Sequence, residues 1–172
     1  MEEESVYQTL ELIKENWPEA WERIVPEVIL FYRIEEQLQQ TVELEVERCG
    51  LVSGDFKVLF RLRVCGVDSP QSPTALYKNL GLTSGGMTKI LHRLEGRGLV
   101  ARLSNSADRR STLVKLTPGG IELIERVFSG IVVCDQRYFS VLDEEERQQL
   151  SRLFEKLLCR EGKPWEGVRD RG

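Results

Sequence analysis

Apolar residues recur at intervals of three and four along most of the chain, the spacing that lines up one face of an α-helix. Leu10 and Ile13 begin such a pattern, which breaks at Trp17-Pro18 because the residue before a proline is pushed out of helical geometry. Proline suits a first helical position, so one long amphipathic helix is expected from there, with Ile24, Val28, Phe31, Tyr32, Leu38, Val42, Val46 and Cys49 on one face and a kink at Pro26. A second helix is expected after Ser53 as N-cap, with Phe56, Leu59, Phe60 and Val64 inward and Gly66 as its stop. Val67 to Ser72 reads as a loop. Ser72 then caps a short helix that has Pro73 first, carries Leu76 and Leu80, and ends at Gly81. Thr83 or Ser84 caps the next helix, whose Met87, Ile90, Leu91 and Leu94 form a single stripe before a stop near Gly98.

Beyond Gly98 the pattern changes. Leu99 to Leu103 and Ser111 to Leu116 are rich in Val, Leu and Thr, and the polar, turn-forming stretch Ser104 to Arg110 lies between them, which predicts a β-hairpin. Thr117-Pro118 opens a long helix with Ile121, Ile124, Val127, Phe128, Ile131, Tyr138 and Leu142 on its apolar side. Asp143 and Glu146 have the spacing of a capping box for a last helix bearing Leu150, Leu153, Phe154, Leu157 and Leu158, to about Arg160. The segment Gly162 to Gly172 is polar and expected to fray, with Trp165 able to pin it.

Two short helices joined through a glycine-containing turn match a helix-turn-helix, in which the second helix is the reader, and a hairpin directly after that helix is the layout of a wing. The expected fold is therefore mainly α: a winged helix-turn-helix with a two-stranded β wing, flanked by N- and C-terminal dimerisation helices. The chain divides accordingly into residues 1–52 (N-terminal helices), 53–116 (the winged module), 117–161 (C-terminal helices) and 162–172 (a flexible tail). The flanking helices have more apolar face than a module of this size can cover. A homodimer with interleaved terminal helices is the simplest cover; a self-contained helical bundle is the alternative.

Charge sharpens this picture. The whole chain of 172 residues has a formal net charge of −4. From Pro70 to Leu116, however, it holds eight basic residues, Lys78, Lys89, Arg93, Arg97, Arg102, Arg109, Arg110 and Lys115, against Glu95 and Asp108, a local charge of +6. With 41% hydrophobic and 30% charged residues, the composition is that of a folded, soluble chain. The longest apolar run, Val28 to Tyr32, falls far short of the roughly 20 residues that span a bilayer. The acidic start Met1-Glu2-Glu3-Glu4 is unlike a secretory signal, so a cytoplasmic location is expected.

Catalytic and metal chemistry find little support. Cys49, Cys65, Cys134 and Cys159 are widely spaced, form no Cys-x-x-Cys pair and are accompanied by a single histidine, so no zinc site is expected. The cysteines read as packing residues, with a redox switch as the lesser alternative. His92 has no companion nucleophile motif. Gly81 to Thr88 imitates a phosphate-binding loop but has Met87 where the lysine must stand, and Gly96-Arg97-Gly98 lacks a third glycine. No enzyme activity and no cofactor are expected.

DNA is the partner that the basic module fits. On the reader helix the apolar stripe leaves Gly85, Thr88, Lys89 and His92 outward with Arg93 beside them; cations suit phosphate or guanine, and Thr suits a thymine methyl or phosphate. In the wing, Arg109 and Arg110 can enter a minor groove, with Asp108 as an orienting partner for Arg110. A winged helix that binds protein instead of DNA is the competing reading, and an ordinary solvated basic face is the plainest one.

The stretch Leu82 to Val100, followed by Asp108-Arg109-Arg110-Ser111 and Val114-Lys115-Leu116-Thr117-Pro118-Gly119-Gly120, resembles the MarR family of bacterial transcriptional regulators. The resemblance covers most of the chain. It implies a winged-helix homodimer that binds a pseudo-palindromic operator, usually as a repressor, and is often released by a small aromatic or phenolic ligand. Matched to this chain, the DNA contacts fall at Ser84, Gly85, Thr88, Lys89, His92 and Arg93, with Arg110 as the wing arginine held by Asp108. Relatives often have arginine where Lys89 stands, and His92 departs from their usual residue. An effector between the dimerisation helices and the winged module would meet Trp17, Trp21, Phe31, Tyr32 and Arg33, an aromatic wall with one cation; the same residues also read as ordinary core.

Overall fold

The computed structural model describes residues 5–104, 112–160 and 163–164. It separates into two compact units, Met1–Ile131 and Val132–Gly172.

In the first unit, α1 (Val6–Asn16) stops at Trp17, whose backbone leaves the helical region (φ −144°, ψ 65°) ahead of Pro18. A four-residue helix α2 (Pro18–Trp21) follows, and α3 runs from Pro26 to Arg48. Pro26 therefore opens a helix at its first position, where a kink within one long helix was expected. A helix running through Pro26 would lose an amide hydrogen bond and drive the ring into the carbonyl of Glu22; the chain instead turns and starts again. The apolar face of α3 is covered only toward its end: Val46 is buried and Val42 and Cys49 pack against the core, while Val28, Phe31 and Tyr32 are exposed.

Helix α4 (Ser53–Cys65) begins one residue earlier than expected, with Val52 at the cap and Ser53 inside. Its buried row is Asp55, Val58, Leu59 and Leu62. Leu59 was expected inward and is. Phe56 and Phe60 are half-buried, and Val64 is 61% exposed. The row is rotated from the expected one, and the two phenylalanines lie on its flank, where Phe60 meets Phe128 at a ring distance of 5.4 Å. Gly66 ends the helix as expected.

The next elements follow their local signals closely. Ser72 Oγ accepts from the Ala75 amide at 3.1 Å and caps α5 (Pro73–Asn79). Thr83 Oγ1 accepts from the Gly86 amide at 3.0 Å and caps α6 (Ser84–Gly96). Gly98 then adopts φ +67°, a conformation that side chains disfavour, and turns the chain into strand β1. β1 (Val100–Ser104) pairs antiparallel with β2 (Thr112–Leu116), in register from Val100 opposite Leu116 to Ser104 opposite Thr112. One contact lay outside the expected hairpin. Gln71, in the loop before α5, exchanges two backbone hydrogen bonds with Val114, at 2.9 and 2.8 Å.

Thr117 ties the wing to α7 (Pro118–Tyr138): its hydroxyl donates to the Gly98 carbonyl at 2.6 Å and accepts from the Gly120 amide at 3.1 Å. A β-carbon on Gly120 would stand 2.0 Å from the Leu99 carbonyl oxygen, so this close approach of helix to strand requires glycine. The core of the unit gathers Leu59, Leu76, Met87, Leu91, Leu94, Val114, Ile124 and Val127 from α4, α5, α6, β2 and α7.

The second unit holds the end of α7, a 3-10 turn at Phe139–Val141 that ends the long helix before Leu142, the last residue of the expected stripe, and α8 (Glu144–Leu158). The predicted capping box is present: Asp143 Oδ1 accepts from the Glu146 amide and Glu146 Oε2 from the Asp143 amide, both at 2.9 Å. Helix α8 has no buried residue. After it, β3 (Cys159–Arg160) pairs antiparallel with β4 (Lys163–Pro164) where helix and then a frayed tail were expected. Trp165 lies outside the described residues.

Candidate nucleic-acid interface

Burial of Met87, Ile90, Leu91 and Leu94 sets the rotation of α6 coarsely, by choosing the face that turns inward. The same rotation turns Ser84, Gly85, Thr88, Lys89, His92 and Arg93 to the surface, as the sequence predicts. Thr88 Oγ1 donates to the Ser84 carbonyl at 3.0 Å, which holds the exposed side chain against its own helix. Lys89 and His92 enter no ion pair among the described residues.

Arg93 differs from the rest of the row. Its Nε lies 3.0 Å from both carboxylate oxygens of Asp55, and its Nη2 lies 2.5 Å from Oδ1. Asp55 is 1% exposed, while the Arg93 side chain keeps 44% of its surface. The Asp55 hydrogen bond raises the pKa of the Arg93 guanidinium above its already high ordinary value, burial opposes this, and the carboxylate charge adds to the rise. Two further arginines of the basic module are also engaged: Arg97 Nη1 donates to the Gly50 carbonyl at 2.6 Å, and Arg102 Nε pairs with Glu95 at 2.9 Å. Glu95 is already subtracted in the sequence count of +6 and the Gly50 carbonyl carries no charge, so only Asp55, from outside the segment, lowers the count, to +5. Asp55 was missed in the sequence because an acid in the first turn of a helix reads as an ordinary response to the helix dipole. Its partner lies 38 positions away.

Asp108, Arg109 and Arg110 lie outside the described residues; the strands that lead to them are in place. The five residues considered for an effector are spread along the N-terminal helices. Trp17 is exposed, Trp21 is half-buried with the Lys14 ammonium 5.8 Å above its ring, and Phe31 and Tyr32 meet edge to face at 6.3 Å. Arg33 pairs with Glu36 at 2.7 Å. Tyr32 and Arg33 line an open groove of about 470 Å³ with Val6, Thr9, Ile29, Glu35 and Glu36, and neither Trp17, Trp21 nor Phe31 lines it. Among the described residues, no group of three or more His, Cys, Asp or Glu is placed to hold a metal ion. All four cysteines are free, with Cys159 exposed and the others half-buried. No helix of the described residues is long and apolar enough to cross a membrane.

Helix α4, the α5–α6 pair, and the β1–β2 hairpin bridged by Gln71 make the first unit a winged helix-turn-helix protein. Residues 53–112, from the start of α4 to the start of β2, match the model of the MarR family. The chain is 29% identical over 133 residues to the multiple antibiotic resistance protein MarR of Salmonella typhimurium, covering 77% of this chain and 85% of that one. To Escherichia coli MarR it is 30% identical over 108 residues, covering 63% and 73%. The crystal structure of wild type MarR from E. coli in its apo form superposes with a TM-score of 0.68 at 29% identity, over 78% of this chain and 98% of that chain. A mutant MarR from E. coli complexed with operator DNA superposes with a TM-score of 0.63 at 29% identity, over 79% and 96%. The chain belongs to the MarR family, whose members are DNA-binding transcriptional regulators and not enzymes.

Proposed function

We propose that this chain is a ligand-responsive transcriptional regulator, a repressor in the manner of its family, that binds a pseudo-palindromic DNA operator as a homodimer. The observation that carries the reading is the outward row on α6: Ser84, Gly85, Thr88, Lys89 and His92 share one exposed face beside a wing whose sequence tip holds Arg109 and Arg110. A helix of this kind fits a major groove, its polar side chains reading base edges while cations engage phosphate. The likeness to a MarR seen with operator DNA supports it.

The dimer is supported by apolar surface at both ends of the chain. Phe31 and Tyr32 on α3, and Leu153, Leu157 and Leu158 on α8, stand exposed. A second copy can cover such faces symmetrically. Two reader helices would then reach grooves about 34 to 36 Å apart, half-sites centred roughly 10 base pairs from each other. A small aromatic effector is supported by the groove beside Tyr32 and Arg33.

The test is binding of the purified chain to a duplex it selects from a random library, titrated in salt with an unselected duplex as control. Selective binding whose log affinity falls linearly with log salt concentration is expected. Arg110→Ala should weaken the selected duplex about tenfold or more while leaving the oligomeric state unchanged, as loss of a groove contact predicts. Binding that ignores salt would move the winged module to the protein-interaction reading.

A further inference from the structure

Arg93 belongs to the exposed row of the reader helix, yet its charge is paired with a buried carboxylate of the same chain. We propose that Arg93 is a positioning residue: through its ion pair with the buried Asp55 it fixes how α6 is turned on the module, and it does not neutralise a DNA phosphate. The inference rests on the regulatory reading and deepens it by assigning a role to Asp55.

The geometry favours positioning. Nε and Nη2 form the edge of the guanidinium that faces Asp55, and both carboxylate oxygens are taken. Nε is shared between the two oxygens while Nη2 also donates to Oδ1, so two donors of one planar guanidinium are held on one carboxylate and restrict its direction as well as its distance. Asp55 sits in the first turn of α4, a rigid element whose neighbours Val58 and Leu59 are fully buried. The tie thus runs from the core to the outer half of the reader helix, and Arg97 adds a second tie one turn further on, to the Gly50 carbonyl.

Packing of Met87, Ile90, Leu91 and Leu94 holds α6 in place but is non-directional. A few degrees of rotation would cost the apolar contacts little and would move the tips of Lys89 and His92 relative to base edges. An ion pair with one buried partner is weak support for stability, since apolar residues of the same volume often do as well; fixing a unique arrangement is the better reason for one here. Nor is Arg93 suited to phosphate. Its charge is already balanced at close range by Asp55, which takes its Nε–H and one N–H of Nη2 and leaves the two of Nη1 and the other of Nη2 to donate.

The experiment measures affinity for the selected duplex and for an unselected one, each across a salt series, together with thermal unfolding. It compares the wild-type chain with Asp55→Asn, Arg93→Gln, Arg93→Lys and the double variant Asp55→Asn/Arg93→Gln. Positioning predicts that each single change weakens the selected duplex about tenfold, the worth of one well-placed base contact, and that the double variant is no weaker than either single. Affinity for the unselected duplex and the salt slope should stay at wild-type values. Arg93→Lys keeps the charge and loses the fork, so it should behave like Arg93→Gln; should Arg93→Gln fail to fold, Arg93→Lys makes the same comparison.

A phosphate contact would look different and would overturn the proposal. Arg93→Lys would then resemble wild type, Arg93→Gln would weaken both duplexes and lower the salt slope by about 1, and Asp55→Asn would strengthen binding. A drop in melting temperature with selectivity unchanged would also overturn it, leaving the pair a structural contact only. A wild-type chain that selects no duplex would remove the regulatory reading itself, a result distinct from both.

Discussion

On α6, Met87, Ile90, Leu91 and Leu94 recur at helical spacing and every one is buried. On α8, Leu150, Leu153, Phe154, Leu157 and Leu158 recur in the same rhythm and none is buried; Leu157 remains 73% exposed. Periodicity reports that a helix has a face to cover and is silent on what covers it. For α6 the cover comes from nearby in the chain, from α4, α5 and β1. On α8 no residue is buried, and of the stripe Leu150 is half-buried. Each large apolar side chain taken out of water contributes about 1.5 to 3 kcal/mol. An exposed apolar stripe of this kind is surface whose burial by any partner would be favourable.

The largest expected effect tests the two helices against each other. Leu94→Ala should lower the unfolding free energy by about 2 to 5 kcal/mol, through lost transfer energy and a residual cavity. Leu157→Ala should change the unfolding of a dissociated chain by less than about 0.5 kcal/mol. At high protein concentration it should instead weaken self-association, measured by sedimentation, and lower the concentration-dependent part of the melting temperature. Equal losses in the monomer would erase the contrast.

Gly120→Ala comes next. It should cost about 1 to 3 kcal/mol or more, because a methyl group there would strike the Leu99 carbonyl and separate α7 from the wing; chemical denaturation measures this directly.

The smallest effect carries opposite signs. Gly85 is exposed in the first turn of α6, and an added β-carbon would meet nothing within 4 Å. Gly85→Ala should therefore stabilise the chain by up to about 1 kcal/mol. If the reader helix enters a groove closely at this point, the same change should weaken the selected duplex. Stabilisation with undiminished binding would place the groove contact elsewhere on the helix.

The elements most legible in the sequence are those whose signals are local. Ser72, Thr83 and Asp143 each announce a helix and each accepts the capping amide expected of it. The stripe of α6 and the hairpin after Gly98 were equally readable, and with them the outward row. Harder were features that depend on neighbours. The start of α3 at Pro26 turns on a clash within one turn, but whether a proline kinks or begins a helix is decided by what surrounds it. The rotation of α4 depends on Asp55 facing inward, which no apolar pattern foretells, since its reason is Arg93 on another helix. The Gln71–Val114 bridge joins a loop to a strand 43 positions later and leaves no periodic trace. In the same way, the expected +6 patch could be counted but not apportioned, because the partners of Arg93, Arg97 and Arg102 are assembled by the fold.

That bridge has a mechanical meaning. The hairpin is bolted at its root by Thr117 to the Gly98 turn, and again at Val114 by the two hydrogen bonds to Gln71. Only the pairs Leu103 with Leu113 and Ser104 with Thr112 extend past the second bolt among the described residues. The described part of the wing is thus a cantilever that projects two residue pairs past its clamp on the loop that begins α5. A load taken up at its far end is carried into that loop and from there to the helix pair beneath, so the wing and the reader helix share one foundation.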